Sequence, residues 1–235
     1  MIRRVLFALS LATAALLAGA WSASAQQPVF AANNATTLDS ATRASLTREF
    51  GEARARGLPV EPLVAKVREG LLKRARPERI QSAVAVLAKR LESARSALGT
   101  SSNAAELVAG ADALSAGADP AALRAVRAAS GARDAAAPLG ALAQLVATGI
   151  PSKRAAQMIV DLLARDASPS QVLAFGVAVE TDVGAGMPAT ESALFRMRQI
   201  ESAINSGDAT TATQGLGGYL QNTPSGRNGQ PKRRP

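Results

Sequence analysis

A small residue, any residue and a proline recur along the chain, as Gly57-Leu58-Pro59, Ala75-Arg76-Pro77, Ala118-Asp119-Pro120, Ala136-Ala137-Pro138, Gly149-Ile150-Pro151, Ala167-Ser168-Pro169 and Gly186-Met187-Pro188. The prolines stand 18 residues apart from Pro59 to Pro77, Pro120 to Pro138 and Pro151 to Pro169, and 19 apart from Pro169 to Pro188. Gaps of 43 and 13 residues interrupt the series. Proline lacks a backbone N–H and has a fixed φ, which suits the first position of a helix; glycine suits the position just past the last. Asp119 before Pro120 and Ser168 before Pro169 are well-placed N-caps, because a short side-chain oxygen there accepts from an orphan backbone N–H. The pattern predicts helix, tight turn, helix, in units of about 14 helical residues. Repeated along a chain, such units make a helical-hairpin array.

The stretches between the turns have helical periodicity. Val60, Leu63, Val64, Val67 and Leu71 share one face of a helix over 60–74, and Ile80, Val84, Leu87, Leu91, Ala94 and Leu98 share one over 77–98. Ala193, Met197, Ile200 and Ile204 repeat the trace near the end. A first helix is expected over 40–56, opened by Asp39 or Ser40 and closed by Gly57. Helices around 103–116, 120–130, 138–148, 152–165 and 169–182 are rich in alanine, which favours helix but buries little, so they must approach closely to pack. Gly70 lies inside a helix at a cost of about 1 kcal/mol relative to alanine, a sign of a neighbouring helix close by. No stretch alternates as a strand does. The expected fold class is all-α: about eight short antiparallel helices joined by Gly/Pro turns, as a helical-hairpin array or an irregular bundle, with the array preferred.

The ends differ from the middle. Arg3 and Arg4, the apolar run Val5 to Leu17, and Ala23-Ser24-Ala25 read as a secretory signal peptide over 1–25, cleaved before Gln26. The run is short for a membrane span, which needs about 20 apolar residues. The start has a bacterial pattern and points to a periplasmic or secreted protein with no transmembrane span after cleavage. Residues 26–38 read as a flexible lead-in and 39–220 as the helical domain, although Gly215, Gly217 and Gly218 make a helix at 209–220 doubtful. Residues 221–235 read as a disordered basic tail.

Residue types narrow the chemistry. The chain has no cysteine and no histidine, which removes disulfides, the usual zinc and copper ligands, and histidine general bases. No cofactor or metal is expected, and no catalytic residue. Charge is unevenly spread: residues 48–98 hold 12 basic and 6 acidic side chains, while residues 99–220 hold 8 and 11. Lys73, Arg74, Arg76 and Arg79 cluster at one helix–helix turn and are candidates for meeting an anion, as are Lys232, Arg233 and Arg234 in the tail. Lys73 and Arg74 also suit a helix C-terminus, and Glu69 stands four residues before Lys73 as a surface pair. Asp161 with Asp166, and Glu180 with Asp182, are the carboxylate pairs open to an acid–base reading, but neither spacing shares a helical face. Gly184-Ala185-Gly186 reads as a turn, since no strand precedes it and no Lys-Ser/Thr follows.

Gly57-Leu58-Pro59, Glu69-Gly70-Leu71-Leu72-Lys73 and Arg79-Ile80, within residues 57–98, resemble a pattern of uncharacterised exported helical proteins of bacteria. That resemblance implies export and helices, and it implies no activity or ligand. The sequence therefore points to an exported, non-catalytic interaction or scaffold protein of the bacterial envelope that binds a protein partner through a helical surface. The alternative is a binder of anionic envelope material, through the basic segment and the tail. Nucleic acid is disfavoured as a partner, because stacking aromatics are nearly lacking.

Overall fold

Among the described residues, helix after helix ends at a residue of positive φ, and the next begins within a few residues. The computed structural model describes residues 38–205. Nine helices follow one another there: α1 Ser40–Ala55, α2 Glu61–Leu72, α3 Pro77–Leu98, α4 Ala104–Ala116, α5 Pro120–Ser130, α6 Ala136–Ala147, α7 Ser152–Ala164, α8 Pro169–Gly184 and α9 Ala189–Asn205. The all-α expectation holds for the described residues, with nine helices in place of about eight. The signal-like segment 1–25, most of the lead-in, the stretch after 205 and the tail with Lys232, Arg233 and Arg234 lie outside the described residues.

The starts follow local chemistry. Asp39 accepts from the Thr42 backbone N–H at 2.8 Å, and Asp119 accepts from that of Ala122 at 2.7 Å. Asn103 with Glu106, and Ser168 with Gln171, form reciprocal capping boxes. Pro77, Pro120 and Pro169 occupy the first residue of their helices. Pro138 does not; it is the third residue of α6, which opens at Ala136. The first N–H groups of a helix have no acceptor within it, so a proline anywhere in that first turn breaks no bond. The same rule admits Pro62 in the first turn of α2. None of the seven recurring prolines lies mid-helix.

Six of the eight stops between the described helices share one geometry, which those at Gly99 and Gly131 lack. Across Gly57, Gly117, Gly149 and Gly186, all at positive φ, the next residue's N–H reaches back to a carbonyl five residues earlier, as Leu58 does to Ala53 at 2.9 Å. This is the Schellman end, and its apolar follow-on residue packs inward: Leu58, Ala118 and Ile150 are buried. Arg74 (φ 52) and Asp166 (φ 60) make the same turn without being glycine. The regular punctuation is thus a Schellman stop followed by a proline-tolerant start. Gly184-Ala185-Gly186 is one such turn.

Packing runs between near neighbours in sequence. Among the described helices, α4, α6 and α8 form one row and α5, α7 and α9 a second, while α3 joins α1 and α2 to both α4 and α5. Members of a row run side by side in the same direction. Gly140, fifth in α6, lies beside Leu173, fifth in α8, and the Asp119 N–H before α5 donates at 3.0 Å to Ser152 Oγ, the first residue of α7. The arrangement is an irregular bundle built from packed helix pairs. Its core holds fully buried Leu63, Leu91, Leu107, Leu123, Leu139, Leu142, Leu145, Ile159 and Phe175. Each such side chain contributes roughly 1.5–3 kcal/mol by leaving water. The alanine-rich helices do approach closely: a Cβ added at Gly110 would stand 3.2 Å from Ala94 Cβ, and one at Gly176 would stand 3.1 Å from Ala141 Cα.

Two buried polar groups tie the rows. Glu106, 3% exposed, accepts from the Asn103 N–H at 3.1 Å and from the Ala135 N–H at 2.9 Å, with Arg127 Nε 3.7 Å away. It therefore fixes the starts of α4 and α6 and the end of α5 together. Arg196 on α9, also buried, binds Asp182 on α8 through two bonds of 2.8 and 2.7 Å.

Candidate anion-binding cleft

The α2–α3 turn brings the expected basic cluster together. α2 stops at Leu72, Lys73 caps it, Arg74 takes the left-handed turn, and Arg76 is the extended residue before Pro77 opens α3. Arg79 follows in the first turn of α3. The chain reverses within five residues, so four cations stand at one tip. With Lys66 and Glu69 from α2 they line a cleft of about 570 Å³, between Gly70, Ala75, Ile80 and Ala83. That volume lies within the usual range of ligand sites, roughly 300–1,000 Å³. Gly70 permits the approach of the two helices, as expected: a Cβ there would meet Ile80 Cγ1 at 2.6 Å.

A second hollow of about 410 Å³ shares Lys66, Arg79 and Ala83 with the first and continues along α3 towards α4. Its walls include Val86, Leu87, Arg90, Val108 and Asp112. The groove thus passes from a basic end to a more apolar one. The Asp112 carboxyl is partly dehydrated there, which raises its pKa, while the Lys66 charge opposes the rise.

Charge in the cleft is arranged around one carboxylate. Glu69 accepts from Lys66 Nζ and from Lys73 Nζ, each at 2.6 Å. The hydrogen bonds from Lys66 and then Lys73 hold its pKa down at about 2. The expected Glu69–Lys73 pair is therefore half of a three-membered cluster. Arg74, Arg76 and Arg79 are exposed and have no carboxylate partner among the described residues. Three guanidiniums left with water, beside two ammoniums sharing one acid, make a local excess of positive charge that an anion can neutralise.

Arg74 adds a second kind of observation. A non-glycine residue in left-handed backbone costs roughly 1–2 kcal/mol. Glycine occupies four of the six equivalent turns, whereas this one keeps an arginine at the lip of the cleft.

The carboxylate pairs are not assembled for chemistry. Asp161 accepts from Gln157 Nε2 at 2.8 Å, Asp166 forms the left-handed end of α7, and Glu180 is exposed. Asp182 is committed to Arg196 and to the Ser192 hydroxyl, and its pKa is lowered chiefly by the Arg196 hydrogen bonds. Among the described residues, no three carboxylates come together as a metal would require, and no helix is long and apolar enough to cross a membrane.

Lys66 was within reach of sequence reading, since it shares a helical face with Glu69 and Lys73 at offsets of three and seven. Val108 and Asp112 were not, because they arrive from α4. Compared with family models, curated proteins and solved structures, the chain has no significant match.

Proposed function

We propose that this chain is an exported, non-catalytic binding protein of the bacterial envelope that takes an anionic group of phosphate type in the α2–α3 cleft. The observation that carries this reading is the convergence of the unpaired Arg74, Arg76 and Arg79 with Lys66 and Lys73 on one cleft of ligand size. Export rests on the signal-like start, Arg3 to Ala25. Inorganic pyrophosphate, titrated calorimetrically into the full chain at low salt, tests the site. Binding is expected to weaken at least tenfold in the Arg74→Glu/Arg76→Glu double variant and to fade as salt rises, because exposed charges are screened over about 10 Å at 0.1 M. Equal affinity in the variant and the parent would end the proposal.

The protein-adaptor reading has its best support elsewhere on the surface. Leu173 and Val177 lie one turn apart on α8, 38% and 46% exposed, and Leu194 and Phe195 on α9 are 42% and 45% exposed. Stable partners usually bury about 800 Å² each, and a few half-exposed side chains are a smaller anchor than that. A partner retained in high salt and lost on Leu173→Asp would favour this surface over the cleft.

A further inference from the structure

Leu72 stands 85% exposed, while the other exposed large hydrophobic residues among those described lie between 38% and 46%. A lone exposed leucine on a soluble surface is ordinary. This one has an uncommon position: it is the last residue of α2, at the tip of the turn, with Lys73 and Arg74 next in the chain. Arg68, also exposed, lies four residues back on the same helical stripe. Residues 66–79 carry six basic and two acidic side chains, so the apolar tip is set in a strongly cationic collar.

Resting on the anion-binding reading above, we propose that the α2–α3 turn seats on an anionic lipid bilayer. Leu72 enters the acyl boundary, and Arg68, Lys73, Arg74 and Arg76 meet headgroup phosphates. A bilayer surface supplies both chemistries in the required order, with negative phosphate at the headgroup level and hydrocarbon just beneath it. A dissolved phosphate or polyanion answers the cations and leaves Leu72 in water. Long Lys and Arg side chains can keep their charges at the interface while their stems follow the leucine inward. The left-handed Arg74 fits the same role, since glycine there would complete the turn but remove a cation beside Leu72.

The test places a reporter at the tip. Leu72→Trp in the full chain, combined with Trp21→Phe, leaves a single indole. With phosphatidylglycerol vesicles its emission is expected to shift to the blue and to be quenched by lipids brominated on the acyl chains. Neither change is expected with phosphatidylcholine vesicles, nor after adding Arg74→Glu/Arg76→Glu. The readout is local, so attachment through the apolar start cannot imitate it. An indole that stays in water on phosphatidylglycerol vesicles overturns the membrane seat. If the same protein still binds inorganic pyrophosphate, the anion-binding reading survives that failure; if it does not, both fall. Shielding of the indole by an acidic peptide but not by phosphatidylglycerol would also overturn the proposal, in favour of a protein occupant.

Discussion

At the scale of single residues, Glu69 sets the strength of the cleft. It is half-buried at the surface and contributes little to stability, as surface ion pairs generally do. Its effect is on charge, because it occupies Lys66 and Lys73 at 2.6 Å each. With a pKa near 2 it stays ionised well into acid, so acidification from neutrality to pH 4 leaves this restraint in place. Removing the charge frees both ammoniums. Glu69→Gln is expected to raise pyrophosphate affinity roughly fivefold at low salt, because one negative charge fewer then faces the anion, measured by the same titration. Arg74→Gly should separate two effects. The variant relieves left-handed strain and is expected to raise unfolding free energy in urea by about 1 kcal/mol, while its pyrophosphate affinity falls. A gain in stability together with a loss of binding is the pattern of a residue kept for its charge. The cluster was legible in the sequence because Lys73, Arg74, Arg76 and Arg79 share one turn. Leu72 was legible only by subtraction, since it falls outside the apolar stripe ending at Leu71. Asp112 and Val108 were beyond reach, because nothing local ties α4 to the α2–α3 hairpin.

At the scale of helices, the boundaries were readable where capping is local. Asp39, Asp119 and Ser168 could be placed from sequence because a cap needs only its own next three residues. Arg74 and Asp166 could not, since non-glycine residues give no signal for a left-handed turn. Pairing between helices was harder still. Asp182 and Arg196 are 14 residues apart, and only the α8–α9 packing joins them into a part-buried bidentate pair. The ordinary value for the Asp182 carboxyl is 3.8, and the Arg196 hydrogen bonds lower it in the folded chain. A lowered folded pKa means that the stabilisation is fully present above the ordinary value and is lost as pH falls through the folded one. Asp182→Asn leaves Arg196 buried without its charge partner and is expected to cost about 3 kcal/mol at pH 7. The gap between parent and variant should hold down to about pH 4 and then close in more strongly acid solution, as the parent loses the same bond. Urea unfolding at pH 7, 4 and 2.5 checks this; a gap that widens with acid would contradict the assignment.

At the scale of the whole described domain, the order of packing governs how it opens. Every extensive contact links helices one or two places apart, as in repeat architectures whose stability comes from neighbouring units. A helix at either end of the order therefore has partners on one side, whereas α4 and α6 are held on both. Glu106 reinforces that centre, because its one carboxylate joins α4, α5 and α6. Stability then cannot be uniform along the chain. Native-state hydrogen exchange should find amides of α1, α2 and α9 opening first and those of α4 and α6 last. Uniform exchange across all helices would instead mean one cooperative unit, with the contacts between neighbours too strong to open singly. The α2–α3 turn lies towards the more easily opened end of this order. Anionic vesicles should therefore slow exchange in α2 and the start of α3 while leaving α6 to α8 unchanged. A ligand that binds only the folded hairpin must protect it by mass action. Protection confined to α8 and α9 would move the binding surface to the Leu173 face, and protection everywhere would show that the hairpin and the centre open together.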